Sequence, residues 1–242
     1  MTNTAAIDFR GSQMIRFLDE LHIADEPVSP ERFSRRLAEL IDLTHSVKIS
    51  IAHTAMSRMK FEAFDNSFDA ARNEVMRVHG DTVDIIVKAF TDHTESTRLK
   101  APKPERLNNA NQKAAIKPFL SFYVYYQRML DSKLNNLRQY IRNSASGLSI
   151  KLAQLAKLDE VLADTLAAHE RKSFAQVPAM LEHRFIEQLQ RTQAAQLEEL
   201  HGSFCRDLQA LLLAELEVRM LPVIGLIESI EAEASNQQTV TQ

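Results

Sequence analysis

The sequence predicts an all-α fold, a bundle of long antiparallel helices around a central C-terminal one, and three observations predict it. Within 204–230 (FCRDLQALLLAELEVRMLPVIGLIESI), Phe204, Leu208, Leu212, Leu216, Met220, Val223, Ile227 and Ile230 follow at steps of three or four. That spacing returns to one side of a 3.6-residue helix. A second line, Leu211, Val218, Leu221 and Ile224, lies beside the first. Apolar surface then covers more than half the circumference, as in a helix surrounded by others. Only 5 Gly and 7 Pro occur in 242 residues, too few turn-formers for many short strands.

Taken in order, residues 1–11 lack a sustained apolar run and read as a disordered N-terminus. An N-terminal helical part spans 12–97. It opens with a short helix from Ser12 that carries Ile15, Leu18 and Leu21. Ser29-Pro30-Glu31 starts the next helix, with a capping hydroxyl, a first-turn proline and an acid at the positive dipole end. Phe33, Leu37, Leu40 and Ile41 face inward there. Val47, Ile49 and Ile51 alternate like a strand, yet no second strand-like run could pair with them, so a helix is expected. Phe64, Phe68, Ala71, Val75, Val78, Thr82, Ile85 and Ala89 then step like a coiled-coil seam. Gly80 weakens that helix by about 1 kcal/mol without ending it.

The stretch 98–113 (RLKAPKPERLNNANQK) is polar and holds two prolines, so it reads as a long exposed basic loop between antiparallel helices. A C-terminal helical core at 114–234 follows. Pro118 is expected to open a helix whose inward residues are Phe119, Tyr123, Tyr126, Leu130, Leu134, Leu137 and Ile141. After a turn at 143–147 comes a helix carrying Leu152, Leu155, Leu158, Leu162 and Leu166. Phe174, Val177, Leu181, Phe185 and Leu189 continue the pattern, and Pro178 predicts a break or kink within it. Gly202-Ser203 admits the central helix. Pro222 should kink it before a polar tail, 235–242, expected to be disordered.

Composition bounds function mostly by exclusion. A formal net charge of −3 fits neither a dedicated polyanion binder nor an acidic tail. One cysteine, Cys205, cannot form an intrachain disulfide framework or a multi-cysteine zinc site. Set among Phe204 and Leu208 with no adjacent histidine, it reads as a buried, inert thiol. Glu215, Glu217 and Arg219 interrupt the greasiest segment, so no membrane span is expected, and the default compartment is the cytoplasm.

No motif for a catalytic centre or cofactor is present: HExxH, CxxC, GxSxG and phosphate-binding glycine loops are all missing. Glu198 and His201 form one Glu-x-x-His pair, where di-metal bundles use two. Asp42 and His45 share the spacing at a probable helix end, where His complements the dipole. No catalytic residue, metal ligand or cofactor is therefore assigned, and an enzyme is not expected.

Two surfaces remain as candidates. The basic segment offers Arg98, Lys100, Lys103, Arg106, Lys113 and Lys117 against Glu105 alone, a set able to neutralise several phosphates or meet an anionic membrane surface. Its bland reading is a linker kept soluble by charge. Beside it lies FLSFYVYY (119–126), where one helix face cannot hold Phe122, Tyr123 and Tyr125 together. Phe122, Tyr123, Tyr125 and Tyr126 are thus a candidate partner surface.

LAKLDEVLADTLAAHERKSFAQVPAMLEHRF (155–185) and LLLAELEVRMLPVIGLIESI (211–230) resemble the two main blocks of a bacterial domain-of-unknown-function family, numbered thirty-three forty-eight. GSQMIRFLDEL (11–21) with ERFSRRLAELIDLTHSVKISIA (31–52) is similar to that family's opening block. The resemblance implies a soluble helical protein, from a family with no established activity and no catalytic residues to carry over, encoded near membrane proteins of the MotA, TolQ and ExbB type and OmpA-like wall binders. The expected function is a helical scaffold or adaptor acting through a protein partner or a second copy of itself. It would serve as a cytoplasmic accessory of an ion-driven envelope complex. The alternative is a nucleic-acid-binding module using 98–117.

Overall fold

The computed structural model describes residues 43–61, 68–91, 99–103, 112–192 and 196–240. Among them are five helices and no strand: α1 (Leu43–Ser57), α2 (Phe68–Phe90), α3 (Gln112–Ser146), α4 (Ile150–Arg191) and α5 (Leu197–Val240). The fold is an all-α bundle. With 35, 42 and 44 residues, α3, α4 and α5 are rods roughly 50–65 Å long at about 1.5 Å per residue. The helices expected from Ser12 and Ser29, together with Phe64, lie outside the described residues.

The Val47-Ile49-Ile51 alternation is helical, within α1. That helix packs chiefly on α4, burying Ala52, while Gln154 donates to the Met56 carbonyl at 3.0 Å. α2 runs through Gly80 and buries Ala71, Thr82, Ile86 and Ala89. Ile86 therefore takes the fully buried place expected of Ile85, which is only partly covered along with Phe68, Val75 and Val78. The Thr82 hydroxyl is satisfied by the Val78 carbonyl at 2.5 Å.

α3 begins at Gln112, so Pro118 lies inside the helix instead of opening it. As the seventh residue of the helix it lies beyond the first turn, so it supplies no amide to the Ala114 carbonyl within the helix. All seven inward positions expected for α3, from Phe119 to Ile141, are buried. A short turn reverses the chain, and Ser149 caps α4 by accepting from the Leu152 amide at 3.2 Å. Asp159 locks the antiparallel pair, receiving Arg142 Nε at 2.6 Å and a further bond from Arg138. Burial works to raise the Asp159 carboxyl, but the two guanidinium groups outweigh it and hold it below its ordinary 3.8.

In the first half of α4 only Leu152 of the five expected leucines is buried, and Ala153, Ala156 and Thr165 take the inner places. Small side chains let α3 approach α4 closely, and Leu155, Leu158, Leu162 and Leu166 flank the seam half-buried. The second half buries Phe174, Val177, Leu181 and Phe185 as the pattern requires. α5 begins at Leu197, upstream of Gly202-Ser203, and continues to Val240, past the expected end near Ala234. It packs against α2, α3 and α4. Its first apolar line is buried throughout, whereas Leu221 and Ile224 of the second are 41% and 39% exposed. Three neighbours leave one side of this helix outward, and those two residues occupy it. No described helix is long and apolar enough to cross a membrane.

Pro178 does not break α4, which continues unbroken to Arg191. A proline inside a helix deprives the carbonyl four residues earlier of its amide donor, here Phe174. Gln127 of α3 replaces that donor, its Nε2 lying 3.1 Å from the Phe174 oxygen. Gln127→Ala should therefore destabilise the protein by about 1–3 kcal/mol. In a Pro178→Ala background, where the backbone amide returns, the same change should cost about 0.5–1 kcal/mol less. Urea unfolding of the four proteins measures the coupling, and strict additivity would refute the replacement.

Candidate functional site

Of the candidate aromatic surface, only Tyr125 is available to a partner, at 40% exposed. Phe122, Tyr123 and Tyr126 are buried, which corrects their assignment to an interface. Helix α3 has neighbours on more than one side, so adjacent aromatic residues enter different contacts. Phe122 meets Phe90 of α2 edge-on at 5.2 Å, while Tyr123 turns towards α5. Phe119 joins Phe185 and Phe204 in a cluster that ties α3, α4 and α5 together.

Within the basic segment, Arg98 and Arg106 lie outside the described residues. Lys113 and Lys117 are exposed on the first turns of α3. The preceding strap, 99–103, is pinned through its backbone. The Ala101 amide donates to the Ala89 carbonyl at 2.9 Å, and Tyr126 Oη donates to the Leu99 carbonyl at 2.7 Å. His201 Nε2 lies 2.7 Å from the Pro102 carbonyl.

The strap, the end of α2 and the first turns of α5 enclose a cleft of about 590 Å³. Lys100, Lys103 and Arg206 line it, His201 and Cys205 lie within it, and no acidic side chain among the described residues does. The sequence reading missed this grouping, because Arg206 and His201 stand far from the basic segment in the chain. It also found no histidine near Cys205, yet His201, one helical turn earlier, brings Nε2 within 3.5 Å of Sγ. A carbonyl only accepts, so Nε2 carries the proton that Pro102 receives and has no lone pair for the thiol. Burial moreover pushes the Cys205 thiol up to about 11, against a smaller opposing effect of Arg206. Cys205 therefore stays a thiol at neutral pH. Glu198 and Glu199 are exposed beside His201, and no three His, Cys, Asp or Glu among the described residues gather to hold a metal.

The most buried charge is elsewhere. Glu215 of α5 is fully buried and accepts from Tyr123 Oη at 2.6 Å, Arg219 Nε at 2.9 Å and Gln127 Nε2 at 3.3 Å. Arg219 lies over the Phe174 ring, 4.0 Å from its centroid, and reaches Asp131 at 2.9 Å. Burial, then the negative charge of Glu215, raises the Tyr123 hydroxyl well above its usual range. The signal for this network was the i,i+4 spacing of Glu215 and Arg219 inside an apolar run. It was legible only as a bar to membrane insertion.

Removing one member strands the others. Arg219→Met should destabilise by about 3–5 kcal/mol, because the Glu215 carboxylate stays buried without its cation. Adding Glu215→Leu should restore part of that loss, measured by chemical unfolding. A second expectation concerns alkali. Burial pushes Tyr126 up to about 12 from 10.0, so its contribution is intact below 10.0. It fades as pH rises towards 12, since the unfolded chain ionises first. Tyr126→Phe should flatten that part of the stability–pH curve and cost about 1 kcal/mol at neutral pH through the lost bond to Leu99.

No curated protein and no solved structure matches the chain. The sequence model of one family, described as "Protein of unknown function (DUF3348)", matches residues 1–232. The chain, all-α among its described residues, belongs to that family.

Proposed function

We infer that the protein is a non-catalytic helical adaptor that works through protein–protein contacts. The observation that carries the reading is the apolar surface on the outer side of α5. Leu221 and Ile224, one turn apart, face outward on the helix whose other sides build the core. Val47 and Ile51 repeat the arrangement on α1, at 50% and 64% exposure. Paired apolar residues on outer helix faces suit helix-on-helix docking. Tyr123 and Asp159 support the non-catalytic part, since each is committed to bonds between helices. The family resemblance, and no contact within the chain, suggests the place of action: the cytoplasmic side of an ion-driven envelope complex. A second reading, retention of nucleic acid by 98–117, draws on the exposed Lys100 and Lys103.

Full-length protein purified by affinity from the native cell should retain a defined partner, or light scattering should show a self-associated species. Leu221→Glu with Ile224→Glu should abolish that association while changing stability by only about 0.5 kcal/mol, as expected of surface positions. A wild-type monomer that retains nothing, or an association indifferent to the double change, would remove the basis for the reading.

A further inference from the structure

We propose that the cleft between the 99–103 strap and α5 binds a small organic phosphate. Its three charged side chains, Lys100, Lys103 and Arg206, are all cationic, and none forms an ion pair with a described residue. They come from two parts of the chain that are far apart in sequence and meet only because the strap is pinned. A concave site whose described charges share one sign focuses its field and concentrates ligands of the opposite sign. At about 590 Å³ it has the size of a small-molecule site and is far larger than a bare phosphate needs.

The cleft divides chemically. Arg206 supplies a planar fork suited to two phosphate oxygens, and the lysines act as point charges around it. The fork lies beside Gly202, where an added Cβ would be in ordinary contact with the Arg206 Nη1 at 3.8 Å. Phe90, Ala101 and Pro102 add apolar lining to the same cleft. The class of ligand that fits both parts has a phosphate head and a planar or apolar body, as a nucleoside monophosphate does. The strap holds its shape through backbone atoms of Leu99, Ala101 and Pro102, so its lysines can be changed without releasing it. This inference stands apart from the adaptor reading, which uses the outer faces of α5 and α1.

The test uses the full chain with two probes, inorganic pyrophosphate and adenosine 5′-monophosphate, in isothermal titration at about 50 mM salt, where phosphate contacts are weakly screened. Both should bind, and Lys100→Glu with Lys103→Glu and Arg206→Glu should weaken each by about tenfold or more, as lost charge-assisted bonds require. Cys205, the single cysteine and part of the cleft wall, gives a readout that needs no variant. Either probe should slow its reaction with a maleimide several-fold. Failure of both probes to bind at millimolar concentration would overturn the proposal. So would unchanged affinity in the triple variant, or labelling of Cys205 at the same rate with and without probe. Binding of a single-stranded oligonucleotide while the monophosphate is ignored would also overturn it, in favour of an extended polyanion surface.

Discussion

A carboxylate with no water contact cannot stand alone in a helical core, and Glu215 dictates much of what surrounds it. Its hydrogen bonds come from Tyr123 and Gln127 of α3 and from Arg219 of α5 itself. Gln127 extends the network to α4 through the Phe174 carbonyl, and Arg219 covers the ring of the same residue. Hydrophobic contact among long rods is non-directional and tolerates sliding. The polar contacts do not, because a shift of one residue would carry Tyr123 and Gln127 of α3 away from the buried carboxylate, which moves with Arg219 on α5. The network thus fixes helix register more than it adds net stability.

The same logic explains why proline is accepted in the middle of α4. Its cost is a carbonyl without a donor, and a neighbouring helix already held in register supplies one at that height. Tertiary structure here repairs a local defect, and the repair works only while α3 and α4 keep their alignment. Asp159 with Arg138 and Arg142 maintains that alignment further along the pair. Phe119, Phe185 and Phe204 close the opposite end of the three-helix contact.

How much of this was legible in the sequence depended on range. The inward residues of α3 and the first apolar line of α5 could be read directly, because helix period and burial agree there. Leu221 and Ile224 could not, since periodicity reports which sides are oily and not how many neighbours arrive to cover them. The interior place of Phe122 was missed for the converse reason: α3 has neighbours on several sides, so Phe122 is enclosed beside Tyr123 and Tyr126, which the helix period had already turned inward. Pro178 looked like a break because the donor that excuses it comes from another helix. The cleft was illegible for the same reason. Its cations lie on either side of about a hundred intervening residues, and only the folded strap brings them together.

The fastening of that strap leaves its sequence open to drift. Every bond that secures it ends on a main-chain atom, the oxygens of Leu99 and Pro102 and the nitrogen of Ala101. Selection on folding therefore reads the path of 99–102 and is nearly blind to which side chains the exposed positions display. Positions 100 and 103 are free to diversify between descendants of a common ancestor while the scaffold stays intact, so whatever chemistry they present can be retuned by single substitutions.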